Sequence, residues 1–157
     1  MKNLAINAAM LVLSIALVMV AASMGGLFGI GDWYRALIKP SWNPPNWIFG
    51  PVWSTLYLMM AVAAWLIWMK RGTHPVGLPL GLYAVQLALN AAWTAIFFGA
   101  HQMGWAFAEI ALLDALILAC VVAFWPVSRP ASLMMVPYFA WVSFASFLNF
   151  TLWRLNA

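Results

Sequence analysis

The stretch Leu4–Phe28, LAINAAMLVLSIALVMVAASMGGLF, lies inside a run from Asn3 to Gly31 that contains no Asp, Glu, Lys or Arg. A helix needs roughly 20 apolar residues to cross about 30 Å of hydrocarbon, and this run supplies them. Its apolar part exceeds the roughly 7–15 residues of a signal-peptide core, so it predicts a true span and not a cleaved leader. Four more such runs follow, at about 48–70, 76–98, 103–125 and 130–153. The breaks fall at Lys70-Arg71-Gly72, at Gly99-Ala100-His101-Gln102, and between Pro126 and Pro130 around Arg129. The runs are too long and too irregular for barrel strands, which alternate over about ten residues. The expectation is an all-α membrane protein: a single domain over residues 1–157, built as a bundle of five transmembrane helices, with one long structured loop between helices 1 and 2.

Composition extends this reading to the whole chain. Of 157 residues, 67% are hydrophobic and 6% charged, whereas water-soluble domains carry about 25% charged residues. A small soluble fold has no means of hiding so much apolar surface. Seven Lys+Arg against three Asp+Glu give a net charge of +4, but the basic residues are scattered. A nucleic-acid binder needs a clustered basic footprint, so the lipid bilayer, and no nucleic acid, is the expected partner. Cys120 stands alone in an apolar run, which predicts a small buried hydrophobe and no intrachain disulfide. Five spans put the termini on opposite sides. Lys2, Lys70, Arg71 and Arg129 then share one face, and Arg35, Lys39 and Arg154 the other, a balance that sets no orientation.

Only one connection is long, from about Gly29 to Trp47. Helix connections in bundles usually take about 2–8 residues, and longer ones tend to be functional or disordered. Here Trp33, Tyr34, Trp42 and Trp47 offer large rigid surfaces, and Pro40, Pro44 and Pro45 restrict the backbone. A stiff aromatic loop at the mouth of a bundle predicts a lid over a pocket. Trp47 taken by itself fits an interfacial belt equally well.

At about 100° per residue, Gln86, Asn90, Trp93 and Phe97 share one stripe of the third span. Gly77, Gly81, Ala84 and Ala88, with Ala91 and Ala95, form another that points almost the opposite way. Amides are costly against lipid, so the first stripe should face protein or a cavity; small residues let helix backbones approach closely. The second span carries Trp53, Tyr57, Met60 and Ala64 on one stripe, and the fifth carries Tyr138, Trp141, Ala145 and Asn149, with Leu148 at its edge. Together these would wall an apolar, flat-sided pocket with few polar groups, as small-molecule sites are. Trp65, Trp68, Trp105 and Trp125 read instead as lipid-packing side chains. Glu109 and Asp114 are intramembrane acids about 140° apart around their helix, so they make no carboxylate pair.

No Gly-rich phosphate loop, Ser-His-Asp set or zinc-ligand spacing is present. His74 and His101 fall in separate short loops on opposite faces, so no metal site and no required cofactor is expected. Three blocks do carry a resemblance. The first is Trp33-Tyr34-x-x-Leu37-x-Lys39-Pro40-x-Trp42-x-Pro44-Pro45-x-x-x-Phe49-x-x-x-Trp53. The second is Gln86-Leu87-x-Leu89-Asn90-x-x-Trp93-x-x-x-Phe97-Phe98. The third is Pro137-Tyr138-x-x-Trp141-x-x-Phe144-Ala145-x-x-Leu148-Asn149-x-x-x-Trp153-Arg154. In this order the blocks resemble the TspO/translocator protein family, the tryptophan-rich sensory proteins.

The resemblance implies a sensor or carrier that binds tetrapyrroles, porphyrin or haem, as ligands, with a homodimer formed through the third helix at Gly77, Gly81, Ala84 and Ala88. It places Trp53, Asn90, Trp141 and Ala145 in the cavity wall, under a lid bearing Trp33, Tyr34 and Pro44. Lys39, or Arg35, would pair with a porphyrin propionate at the rim. The stripes add Tyr57, Gln86, Trp93, Phe97 and Tyr138 to the ligand-binding set. The resemblance also implies that Trp53 and Trp141 are the catalytic pair if the protein breaks down porphyrin in light, which is the most enzyme activity it suggests; the chemistry would belong to the excited ligand. A proton-coupled small-molecule transporter is a further alternative. Phe150 stands where the sterol motif of animal members has an aromatic hydroxyl, in Leu148-Asn149-Phe150-Thr151-Leu152-Trp153-Arg154. Such motifs are weak, and this one leaves at most low-affinity binding of a sterol-like lipid and points to a bacterial cell membrane.

Overall fold

In hydrocarbon a peptide group has no water to pair with, so each apolar run has to close its own hydrogen bonds as a helix. The computed structural model describes residues 2–28 and 31–157. It contains α1 (Lys2–Leu27), α2 (Asp32–Ala36), α3 (Asn46–Met69), α4 (Gly77–Thr94), α5 (Met103–Phe124) and α6 (Arg129–Asn156). All but α2 are long and apolar enough to cross a membrane. The chain is a multi-pass integral membrane protein with an all-α architecture. Gly29 and Ile30, where the expected lid begins, lie outside the described residues.

The helices close a ring in the order α1, α3, α6, α5, α4 and back to α1. Its core is aliphatic and small where the helices come closest. Ala61, Ala63 and Ile67 of α3, Ile117 and Cys120 of α5, and Ala131, Met135 and Val142 of α6 are all fully enclosed. Ser128 caps α6 by accepting from the Ala131 amide, with Pro130 in the first turn. Prolines cost least near helix starts. α3 accordingly begins at Asn46, directly after Pro44-Pro45, slightly earlier than the sequence suggests.

Two features depart from the sequence reading. The third span is not one regular helix: after Thr94 it widens into a π turn, Ala95–Gly99. Gly99 permits this close to α1, since a Cβ there would come within 2.8 Å of the Phe28 ring. His101 follows with a left-handed backbone (φ 57°), a conformation in which His is enriched. The second departure concerns the tryptophans assigned to lipid. Trp105 and Trp125 do lie exposed on the outer surface, but the Trp65 indole donates to the Asn7 carbonyl at 2.9 Å and ties α3 to α1. An indole N–H has a strong preference for a partner when buried, and the start of α1 is within reach.

Candidate ligand-binding site

A cavity of about 290 Å³ lies at the end of the ring beneath α2. Its wall is built from the last turns of α1 (Ala22, Gly25), the start of α3 (Phe49, Gly50, Trp53, Tyr57), the end of α4 with its π turn (Asn90, Trp93, Thr94, Phe97, Phe98) and the second half of α6 (Trp141, Ala145, Leu148, Asn149, Leu152), and Tyr34 of α2 also lines it. The space exists because Ala22, Gly25, Gly50 and Ala145 face large rings across it. Phe49 meets Trp141 edge-on at 5.9 Å, and Trp93 stacks on Phe97 at 5.1 Å. Such pairs contribute about 0.5–1.5 kcal/mol each beyond area burial.

The polar groups are few and fixed. The Trp93 indole donates to Asn149 Oδ1 at 3.1 Å, and Asn149 Nδ2 donates to the Met103 carbonyl at 2.9 Å. One carboxamide thus orients a ring of the wall and joins α4, α6 and the start of α5. On the floor, the Tyr57 hydroxyl donates to Asn90 Oδ1 at 2.7 Å, Asn90 Nδ2 donates to the Tyr138 hydroxyl at 3.0 Å, and that hydroxyl donates to Gln86 Oε1 at 3.0 Å. This chain links α3, α4 and α6 in low dielectric, where breaking a bond is costly, and it ends at Gln86, whose Nε2 is buried with no partner among the described residues.

Above the cavity the loop is docked at several points. The Ile38 amide donates to Asn156 Oδ1 and Asn156 Nδ2 donates back to the Ile38 carbonyl, both at 2.9 Å. At 28 residues, α6 outruns the hydrocarbon thickness at 1.5 Å per residue, and this reach puts Asn156 beside the loop. Trp42 stacks on Phe147 at 5.2 Å, and Trp33 stacks on His101 at 4.2 Å while meeting Phe97 edge-on. The Tyr34 hydroxyl donates to Asn43 Oδ1 at 3.4 Å, and Asn43 Nδ2 donates to the Pro44 carbonyl.

Burial raises the Tyr34 phenol above its ordinary value of 10.0, with the Asn43 bond partly opposing. Below pH 10 the phenol is neutral in both folded and unfolded chains. Its contribution is therefore fully present there, and is lost as the pH climbs through the raised folded value, because the unfolded chain ionises first. The melting midpoint of the parent should fall more steeply above about pH 10 than that of Tyr34→Phe; parallel curves would contradict this assignment.

Of the ligand-binding residues expected from sequence, Tyr34, Trp53, Tyr57, Asn90, Trp93, Phe97, Trp141 and Ala145 are brought together in the wall. Five stand elsewhere. Gln86 and Tyr138 are completely buried behind the wall and do not line it: the Tyr138 hydroxyl accepts from Asn90 and donates to Gln86. Trp33 backs Phe97, and Pro44 accepts from Asn43. The Lys39 ammonium donates to the Arg35 and Leu37 carbonyls and lies 4.8 Å from the centroid of the Tyr34 ring, so it reaches the cavity only past that ring. Ala22, Gly25, Gly50, Thr94 and Leu152 join the wall without having been singled out. Small residues at the end of an evenly apolar helix leave no periodic signal, and the π turn shifts the register that a regular helix would keep. Phe49, Phe98, Leu148 and Asn149 join too; all four stand in the quoted blocks.

The small stripe of α4 is exposed at Gly77, Gly81, Ala84 and Ala88, and a Cβ at either glycine would meet nothing within 4 Å. Neither intramembrane acid belongs to the cavity lining. Asp114 accepts from the Ser143 hydroxyl of α6 through both oxygens at 3.0 Å, while both Glu109 oxygens are buried with no partner among the described residues.

Comparison with known proteins agrees with this architecture. The model of the TspO/MBR family matches residues 13–154. The chain is 48% identical over 126 residues to the translocator protein of Homo sapiens, covering 79% of this chain and 75% of that protein. It is 44% identical over 137 residues to protein CrtK of Rhodobacter capsulatus, covering 87% and 86%. Against the tryptophan-rich protein TspO of Chlorobaculum tepidum it is 46% identical over 128 residues, covering 79% of each. With its three aromatic blocks folded around one cavity, this chain belongs to the TspO/MBR family.

Proposed function

We propose that the protein is a tetrapyrrole-binding sensor or carrier whose cavity takes the face of a porphyrin or haem as a ligand. One observation carries the reading: Trp53, Trp93 and Trp141, from three different helices, line one hollow together with only a few polar side chains. Flat apolar ligands are held by such stacking surfaces, and a few fixed amides set their orientation. At about 290 Å³ the cavity is at the small end of ligand sites. A macrocycle therefore enters with the loop displaced and its carboxylate edge left at the mouth, where Lys39 and Arg35 supply cations. Metal ligation is no part of the proposal. A sterol-like lipid would find the same apolar walls, but Phe150 leaves the sterol motif without its aromatic hydroxyl, so its affinity is low. The exposed face at Gly77, Gly81, Ala84 and Ala88 is suited to a second copy of the chain, since small residues allow close backbone approach.

The test is a fluorescence titration of protoporphyrin IX against the purified protein in the dark. Saturable quenching is expected, weakened about tenfold by Trp53→Ala or Trp141→Ala, the loss of one stacking surface. Linear, unsaturable quenching would rule the reading out. Illumination of the saturated complex separates a carrier from a light-dependent enzyme. Both tryptophans line the cavity, so porphyrin loss that stops in Trp53→Phe and Trp141→Phe would assign them as electron donors. Unchanged porphyrin in the parent would leave a carrier.

A further inference from the structure

The cavity beneath α2 is walled mostly by rings, but between α1 and α3 its wall is glycine backbone. Gly25 of α1 and Gly50 of α3 both line it, with Ala22 one turn before Gly25. Gly25 continues the stripe of Ser14, Val18 and Ala21, which is buried in the bundle, yet Gly25 itself is exposed. Gly50 stands one turn from Trp47 and one from Ser54, both exposed on the outside of α3, while it also faces the cavity. A Cβ at either glycine would meet nothing within 4 Å, so no side chain fills the seam at these two points. The end of α1 leans the other way. Its Phe28 ring lies 2.8 Å from where a Cβ on Gly99 would stand, against the π turn that follows α4. The result is a slot through the side of the bundle, from the cavity to the bilayer. Its depth decides what it faces. Gly50 lies four residues into the span Asn46–Met69, and Gly25 closes the span Leu4–Gly25. Trp47, 73% exposed, marks the headgroup level, about 4.5 Å above Gly50 at 1.5 Å per residue. The slot therefore opens just inside the hydrocarbon. Ser23 and Ser54, the hydroxyls nearest to it in sequence, donate within their own helices to the Val20 and Gly50 carbonyls at 2.6 and 2.9 Å. What remains at the slot is apolar.

We propose that this slot is a subsite for a hydrocarbon tail: the cavity takes a tetrapyrrole bearing one long-chain substituent, its ring among the tryptophans and its tail passing between α1 and α3 into the bilayer. The inference rests on the tetrapyrrole reading of the cavity and adds the substrate class. A hollow of about 290 Å³ has no room for a ring and a folded chain together. At the mouth the chain would have to pass the charged Lys39 and Arg35 and leave hydrocarbon for water, which is unfavourable over its whole length. Through the slot it stays in hydrocarbon, while the carboxylate edge of the ring remains at the mouth. Lipid-facing α3 carries only Gly50 at this point, so the chain leaves without displacing a side chain. α1 meets α4 on its other side, so the small face of α4 suited to a second copy is left free.

The experiment is a dark fluorescence titration of the purified full chain, in one detergent, with the monomethyl, monobutyl, monooctyl and monohexadecyl esters of protoporphyrin IX. All four probes keep the same ring and one free carboxylate. The parent should bind them alike, within about threefold, because the tail is in hydrocarbon both in the micelle and in the complex. Gly25→Leu with Gly50→Leu fills the slot and should raise the ratio of the hexadecyl to the methyl dissociation constant at least about tenfold. Both glycines line the cavity, so the substitutions also touch the ring, but that cost is common to the two esters and cancels in the ratio. Thermal unfolding shows whether the double variant is folded; the parent series needs no variant. An affinity that falls more than about tenfold from methyl to hexadecyl in the parent would mean that the tail has no exit, and would overturn the proposal. A ratio that the double variant leaves unchanged would send the tail out through the mouth, and would overturn it too. Absence of saturable methyl-ester binding by the parent would instead remove the tetrapyrrole reading of the cavity, and this inference with it.

Discussion

Ala145→Phe is expected to abolish porphyrin binding, raising Kd at least about 100-fold, which is about 2.7 kcal/mol, while leaving the protein folded and its melting midpoint level or higher. Enlarging a residue in a packed core normally costs about 1–3 kcal/mol, because neighbours are forced off their rotamers. Ala145 is different. Its methyl faces a hollow of about 290 Å³, bounded across from it by rings and by Gly50. A phenyl group placed there gains contacts rather than displacing them, and it takes the space a ligand face would use. Binding and stability should therefore move in different directions, which a simply disruptive substitution does not do. Ala140→Phe, on the exposed face of the same helix, serves as the control and should change neither. Porphyrin affinity equal to the parent's in Ala145→Phe would remove this cavity as the binding site. The measurements are the dark fluorescence titration and thermal unfolding in the same detergent.

The largest loss of stability is expected at Asn90. Asn90→Leu keeps the volume but removes the acceptor of the Tyr57 hydroxyl and the donor to the Tyr138 hydroxyl, at a residue almost wholly buried. Stranding a buried hydroxyl costs about 1–3 kcal/mol per group, so the variant should lose about 2–4 kcal/mol. For a chain of this size that is a fall of about 5–12 °C in melting midpoint. Adding Tyr57→Phe to the Asn90→Leu background removes the stranded donor as well, and about 1–2 kcal/mol should return. That recovery is the diagnostic result. A double variant that melts lower still would mean that Asn90 acts through packing and not through the hydrogen-bond chain. Because Asn90 and Tyr57 also line the cavity, the cycle is read from stability alone.

These two positions illustrate how unevenly the molecule was legible. Asn90 stood out in the sequence because a carboxamide in an apolar run has to find a partner inside the bundle. Its spacing from Trp93 put the two on one face. Its partners, Tyr57 and Tyr138, lie 33 and 48 residues away, and no local pattern pairs them. The distinction between Asn90, which lines the cavity, and Gln86, which stands one turn behind it, depends on how α3 and α6 cross α4. Asn149 shows the same limit. Its stripe pointed inward, but only the packed helices reveal that it clamps the Trp93 indole against the start of α5.

The sequence alone determined the class of fold and which faces turn inward. Hydrocarbon forces every apolar run of about 20 residues into a helix, and it charges heavily for amides and indole N–H groups left without partners. Those costs are local, so they are written in the order of the residues. Tertiary structure decided what the inward faces enclose. The hollow at Ala145, the π turn that brings Phe98 into the wall, the clasp of Asn156 on Ile38 and the slot between α1 and α3 all depend on how residues far apart in the chain are brought together. Packing is short-ranged in space and indifferent to sequence separation, so these features exist only once the ring of helices has closed.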